Sequence, residues 1–261
     1  MNILLTNDDG VHSPGIEKLA KQLKDKHKIW IVAPSGERSA SGHSITMNLP
    51  LFAKKIKLAG LEDIPAYKVS GTPADSVKLG LRAIVKEKID LVVSGINLGS
   101  NLGSDIFCSG TTSAALEAAV LGLKGLAVSL EMRDMASMDY LPDAAKCVGL
   151  FLSQIDIEKD VRQVINMNIP AIPFEQIKGF RFGRQGEMQY DEKYEKRTDP
   201  RGREYYWLAG GFVGDRVGNE TDSTILREGF VALTPLKCDL TDFEHMKSLK
   251  CNLENLKLHF K

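Results

Sequence analysis

The chain has 261 residues, 43% of them hydrophobic and 26% charged, and its 34 basic and 34 acidic side chains leave no formal net charge. That length supports one large core, or one domain with an extension. The charge balance excludes a broad electrostatic footprint for nucleic acid, and no run nears the roughly 20 apolar residues of a membrane span.

The first apolar run, residues 3–5, reads as a strand, and Asp8 and Asp9 follow it directly, just before Gly10. Ile16, Leu19, Ala20 and Leu23 then fall at helical spacing, with Ser13 as cap and Pro14 in the first turn. Residues 29–33 form a buried-strand run, followed by a polar loop over 34–44, and residues 66–70 a shorter strand. Thr72-Pro73-Ala74-Asp75 opens a helix as a capping box, with Ala74, Val77, Leu81 and Ile84 as its apolar face. Residues 91–93 read as a strand, and a Gly/Asn/Ser-rich loop runs from there to Gly110. A small-residue helix over 112–123, a strand over 126–128, a helix near 142–152 and a strand over 164–167 complete the series. This alternation predicts an α/β, Rossmann-like fold, a mostly parallel sheet with helices on both faces.

Beyond Pro173 the pattern changes. Residues 180–190 and 204–212 alternate around Asp199-Pro200-Arg201-Gly202 and carry Tyr205, Tyr206 and Trp207, which predicts one long β-hairpin. It reads either as a self-association arm or as a solvated hairpin of mixed charge. A strand over 230–233 and an amphipathic helix from about Asp242 end the chain. The expected organisation is a catalytic core over 1–173, an arm over 174–228 and a C-terminal strand and helix over 229–261. The start of the chain reads as a strand rather than a secretion leader. The four cysteines are widely spaced, with no CxxC and no zinc spacing, and read as reduced thiols of a cytoplasmic protein.

Ligands of open α/β sheets bind beyond the carboxyl ends of the strands. The first strand delivers Asn7, Asp8 and Asp9, and the second delivers Arg38, Ser39, Ser41, His43 and Ser44. The strand at 91–93 delivers Asn97, Asn101 and Asp105, and its loop ends in Ser109-Gly110-Thr111 at a helix start. Two adjacent carboxylates repel each other unless a cation lies between them, although they also suit a turn that caps the next helix. Together these residues suggest an oxygen-only site for Mg²⁺, Mn²⁺ or Ca²⁺. Ser109-Gly110-Thr111 reads as an anion cradle at the positive end of a helix, or as an ordinary cap. A helix end supplies at most about 2 kcal/mol, whereas phosphate-monoester hydrolysis needs accelerations on the order of 10²¹-fold. A cradle for phosphate therefore calls for a cation that polarises phosphate and activates water. Walker A, GxGxxG, HExxH and GxSxG patterns are absent. Against the DxD phosphatases, Asn7 occupies the nucleophile position, which disfavours covalent chemistry.

Thr6-Asn7-Asp8-Asp9-Gly10, Ala33-Pro34, Glu37-Arg38-Ser39-Ala40, Gly42-His43-Ser44, Gly71-Thr72-Pro73-Ala74-Asp75, Ser94-Gly95-Ile96-Asn97-Leu98-Gly99 and Ser109-Gly110-Thr111 stand in order along the chain. In this they resemble the SurE family, the survival-protein family of 5′-nucleotidases. The resemblance runs from Met1 to about Phe243 and is weaker in the last helix. It implies a cytoplasmic phosphohydrolase of nucleoside monophosphates that depends on one divalent cation per subunit. It places the metal ligands on Asp8, Asp9, Ser39 and Asn97, the catalytic carboxylates on Asp8 and Asp9, and phosphate binding on Asn97, Ser109, Gly110 and Thr111. It also implies homodimers that exchange C-terminal segments, often paired into tetramers through the arm, with no nucleic-acid or membrane partner. The chain departs from the family in two places: Cys108 stands where an aromatic residue is common, and Glu117-Ala118 where Glu-Gly is frequent.

Two other readings compete. A nucleotidyl or glycosyl transferase would need a second substrate pocket, and a nucleotide or metal sensor would bind without turnover. The residues leave open the base, 5′ against 3′ monophosphates, and cleavage of short polyphosphate. His43 is read either as functional or as a loop anchor, Arg38 as a loop anchor or a partner of Glu37, and Thr72 with Asp75 as structural.

Overall fold

A computed structural model describes residues 1–161, 163–215 and 218–253. Its centre is a nine-stranded sheet. In chain order the strands that enter it are β1 (Asn2–Thr6), β2 (Lys28–Pro34), β3 (Ala53–Ile56), β4 (Ala66–Val69), β5 (Leu91–Leu98), β6 (Lys124–Leu130), β7 (Val164–Ile169), β8 (Phe180–Phe182) and β13 (Val231–Leu236), and their spatial order is β3-β4-β2-β1-β5-β6-β7-β13-β8. From β4 to β7 every pairing is parallel, while β3 joins β4, and β13 joins β7, antiparallel.

Strand alternation divides the core between the two faces. Ile3 and Leu5 lie in one cluster with Ile16, Leu19 and Leu23 of α1 (Pro14–Leu23) and Val148 and Phe151 of α4 (Leu141–Gln154). Leu4 lies in the other, with Val77 of α2 (Pro73–Leu79) and Ala114 and Ala118 of α3 (Gly110–Val120). The predicted caps are in place: Ser13 accepts from Ile16 N, and Thr72 with Asp75 forms a full capping box. The expected apolar face does continue through Leu81 and Ile84, which pack against the same cluster as Val77, but on a wider π turn at Gly80–Ile84. No helix among the described residues is long and apolar enough to cross a membrane.

Two expectations are corrected. The stretch expected as loop after residue 93 continues β5 to Leu98, with a register shift against β6 between Ser94 and Asn97. Gly95 permits it: its φ is +135°, and a Cβ there would fall 2.3 Å from the Val128 carbonyl oxygen. Apolar periodicity alone could not find strand in Ser-Gly-Ile-Asn.

The single long hairpin is also divided. β8 leaves it to pair with β13 at the edge of the main sheet. The remainder is two short antiparallel pairs, β9 (Met188–Tyr190) with β12 (Phe212–Asp215) and β10 (Lys193–Thr198) with β11 (Glu204–Ala209). Gly210, at φ +104°, breaks the second strand, and a Cβ there would lie within 1.7 Å of the Asp191 carbonyl oxygen. The predicted turn at Asp199 is present, with the carboxylate accepting from Arg201 N and Arg203 N at 2.8 and 2.9 Å. α5 (Asp222–Arg227) precedes β13, and α6 (Phe243–Leu253) ends the described chain. The part of the expected C-terminal helix beyond 253 lies outside the described residues.

Candidate active site

The site lies where β1, β2 and β5 end together. Asn7 closes the turn after β1, its Nδ2 donating to Gly10 O at 2.9 Å and to Ser13 Oγ at 2.6 Å. That turn presents Asp8 and Asp9 to a cavity of about 500 Å³, which Ser39, Asn97 and Ser109 also line. Five of the seven residues predicted for the site therefore share one cavity. Gly110 and Thr111 stand behind it, against Asp8.

Asp8 is only 5% exposed. Thr111 grips it twice, by Oγ1 donating to Oδ1 at 2.5 Å and by its backbone N–H. Burial pushes the Asp8 carboxyl above its ordinary range, and these hydrogen bonds partly offset that. Gly110 allows α3 to start this close: a Cβ there would lie 2.8 Å from both Cβ and Oδ2 of Asp8. The Thr111 donors expected to meet phosphate are thus engaged on Asp8. Ser109 caps α3 by accepting from Thr112 N at 3.0 Å, and its own N–H donates to Asp105 O at 3.1 Å.

Asp9 is raised further, to about 7, first by burial and then by the negative charge of Asp8. The Leu98 backbone donates to it, yet its Oδ2 is buried with no hydrogen-bond partner among the described residues. Asn97 donates its Nδ2 to Gly99 O at 2.7 Å, which leaves Oδ1 as its free acceptor, and Ser39 Oγ donates to Glu37 Oε1 at 2.7 Å. An orphaned, buried carboxylate oxygen beside a second carboxylate fits a bound cation. Among the described residues no group of three or more His, Cys, Asp or Glu gathers at one point. The available donors are two carboxylates with a hydroxyl and an amide oxygen, a set suited to a hard divalent cation rather than to zinc.

The loop that carries Ser39 is fastened at several points. Arg38 N–H donates to Asp8 O at 2.7 Å, and Arg38 Nη2 to Ser70 O at 2.9 Å, so Arg38 anchors its own loop as predicted. His43 Nε2 lies 2.8 Å from Glu117 Oε2, and Lys78 Nζ lies 2.9 Å from Oε1. His43 thus joins the loop to α3 through a carboxylate that is 4% exposed. Asp75 accepts from Thr46 N at 2.9 Å and Thr46 Oγ1 at 2.6 Å, so the capping box also holds the loop. His12 lines a second, smaller cavity of about 290 Å³ shared with Asp9 and Glu37.

Sequence reasoning missed a polar network under the site. Asn101 N–H donates to Asn168 Oδ1 at 2.8 Å, Asn101 Nδ2 donates to Ser129 Oγ at 2.8 Å, and Asn166 and Asn168 donate to Asn101 O at 2.8 and 3.0 Å. Two asparagines at alternate positions of a buried strand, Asn166 and Asn168, were the available signal. Tyr190 was missed as well, because its strand was assigned wholly to the arm, yet its hydroxyl donates to Asp105 Oδ2 at 2.5 Å in the cavity.

A family model described as "Survival protein SurE" matches residues 3–192. A protein named 5′-nucleotidase SurE from Thermosipho africanus is 43% identical over 256 residues, covering 98% of each chain. Another of that name, from Natranaerobius thermophilus, is 42% identical over 252 residues, 95% of this chain and 97% of the relative. The crystal structure of a SurE protein from Aquifex aeolicus superimposes with a TM-score of 0.81 at 38% identity, covering 98% of this chain and all of that one. With the strand order, the paired carboxylates and the helix seated on them already in place, these matches show that the chain belongs to the SurE family.

Proposed function

We propose that the chain is a phosphoric monoester hydrolase that releases inorganic phosphate from nucleoside 5′-monophosphates, using one divalent cation per subunit, Mg²⁺ or Mn²⁺. The nucleotidase names of relatives at 42–43% identity support the reaction class. The observation that carries the cation is Asp9 Oδ2, buried and unpartnered beside Asp8 in a cavity shared with Ser39, Asn97 and Ser109. Asp8, Asp9, Ser39 and Asn97 would hold the cation, which when bound sets positive charge against phosphate oxygens and makes water more acidic. The Ser109 hydroxyl, Asn97 and the Gly110 end of α3 hold the phosphate. Thr111 contributes by fixing Asp8. Water attacks phosphorus in line, and Asp8 or Asp9 takes its proton. Asn7 is committed to its own turn, so no side chain at that position forms a phosphoryl intermediate.

Self-association belongs to the same reading. The arm, within 174–228, carries exposed Tyr194, Tyr206, Trp207 and Leu208, and the C-terminal segment, 229–261, carries exposed Leu240, Phe243, Met246 and Leu249. Both suit a second copy of the chain, as a homodimer with exchanged C-terminal segments or a tetramer joined at the arms. The free thiols of Cys108, Cys147 and Cys238 suit a cytoplasmic protein.

Phosphate release from a panel of nucleoside 5′- and 3′-monophosphates and short polyphosphate, with Mn²⁺, Mg²⁺ or chelator, tests the reading. Release from 5′-monophosphates that chelator abolishes is expected, and the other substrates set its breadth. Cation-dependent binding without turnover would instead establish a sensor, and dependence on an acceptor a transferase.

A further inference from the structure

Asp105 is a fourth carboxylate in the cavity that holds Asp8, Asp9 and Glu37, and no step above uses it. It sits on a 3₁₀ turn, Gly103–Phe107, fixed from several sides. Gly103 N–H donates to Asp222 Oδ2 at 2.8 Å, and Gly103 O accepts from Gln185 Nε2 at 3.0 Å. The carbonyl oxygen of Asp105 accepts from Cys108 N and Ser109 N at 3.0 and 3.1 Å, which ties it to the residue that begins the phosphate end of α3. Its Oδ2 accepts from the Tyr190 hydroxyl at 2.5 Å, and among the described residues no donor reaches Oδ1.

The hydrolytic reading leaves one chemical requirement unmet. A nucleoside alcohol departs as a strongly basic alkoxide unless a proton reaches its oxygen as the bond to phosphorus breaks. A further ionised carboxylate beside Asp8, Asp9 and Glu37, tied to the phosphate end, would repel the substrate, whereas a protonated one can donate to it. Resting on that reading, we infer that Asp105 is the general acid of the reaction and that Tyr190 is its positioning residue. The proton passes from Asp105 Oδ1 to the departing sugar oxygen as the phosphorus–oxygen bond breaks. The electron pair of that bond stays on the oxygen, which leaves as the alcohol. The Asp105 carboxylate keeps the Tyr190 hydrogen bond and regains a proton from solvent. Burial raises the Asp105 carboxyl above its ordinary range and the Tyr190 hydrogen bond lowers it, so the two hold it between opposing pulls. The titratable groups that share its cavity are Asp8, Asp9, Glu37 and Cys108, and Tyr190 faces it from β9.

The test compares a nucleoside 5′-monophosphate, whose leaving group needs a proton, with p-nitrophenyl phosphate, whose leaving group does not, both with Mn²⁺. Asp105→Asn keeps the size of the side chain and an acceptor for Tyr190. Its kcat on the nucleotide is expected to fall about 100-fold or more, and on the aryl phosphate less than tenfold. The basic limb of the wild-type pH–rate profile on the nucleotide is expected to disappear. Tyr190→Phe removes a hydrogen bond that favours the ionised carboxyl, so that limb moves to higher pH by up to about one unit. Equal losses on both substrates with an unmoved limb would overturn the assignment and leave the phosphatase reading standing. Failure of the wild-type protein on both substrates would overturn the phosphatase reading and the assignment with it.

Discussion

The carboxyl edge of β1 and β5 and the arm that begins at β9 follow opposite rules. At the edge, polar side chains are buried: Asn7, Asp8, Ser109, Thr111, Asn166 and Asn168 all lie in the interior with at least one named partner each, although Oδ1 of Asn7 and of Asn166 has none among the described residues. On the arm, Tyr194, Tyr206, Trp207 and Leu208 face solvent, while charges such as Lys196 and Glu204, 2.5 Å apart, pair along the strands. Burying polar groups is costly unless each is satisfied, so such a network specifies geometry. Leaving apolar groups exposed is tolerated where another surface covers them. On the reading proposed above, the first region holds small charged groups in place and the second meets another chain. Tyr190 on Asp105 links the two regions directly.

The comparison can be broken from either side. The largest effect is expected at the edge: Asp9→Asn removes a carboxylate and with it at least about 1,000-fold of cation-dependent phosphate release, while circular dichroism stays that of the wild type. Near-normal turnover would refute the assignment of Asp9. Gly110→Ala places a methyl 2.8 Å from Asp8 and 3.0 Å from Ser41 Oγ, so α3 or Asp8 must move. A displacement on the order of 1 Å costs about 100-fold in kcat, measurable in the same assay.

The pH dependence of stability gives a third, smaller effect. Folded Asp9 binds its proton up to about pH 7 against an ordinary value of 3.8, so the unfolded chain ionises first. Below about 3.8 both states are protonated and the penalty is absent. Without cation, the unfolding free energy therefore falls as pH rises from there towards 7, then levels off. Urea titrations with chelator follow it, and Asp9→Asn flattens the curve. A flat wild-type curve would contradict the raised carboxyl. The smallest effect is expected on the arm, where Trp207→Ser shifts the unfolding free energy of the subunit by less than about 0.5 kcal/mol. Sedimentation at decreasing concentration should nevertheless show weaker self-association, and an unchanged profile would remove the arm from the interface.

Much of the edge was legible in the chain, because it rests on local rules. Ser13, Thr72 and Asp75 declare helix starts by their own side-chain chemistry, and apolar runs declare strands. Bookkeeping of strand ends then collected Asp8, Asp9, Ser39, Asn97 and Ser109, which the fold brings to one cavity. What could not be read depends on neighbours distant in sequence. The extension of β5 to Leu98 is set by its pairing with Ser129 and Leu130 of β6. The division of the hairpin follows from β13, which draws β8 into the main sheet some 50 residues before itself in the chain. Thr111 read as a phosphate ligand, because a hydroxyl at a helix start looks the same whether it faces a ligand or a buried carboxylate.

Calorimetric titration of Mn²⁺ into the wild type and Asp9→Asn at pH 8, above the Asp9 carboxyl at about 7, decides whether Asp8 and Asp9 hold a divalent cation. One site per chain is expected in the wild type, with binding weaker by at least about a hundredfold in the variant, since losing even an outer partner of a metal ligand costs about 10–100-fold. Equal Mn²⁺ affinity in the two proteins would contradict it.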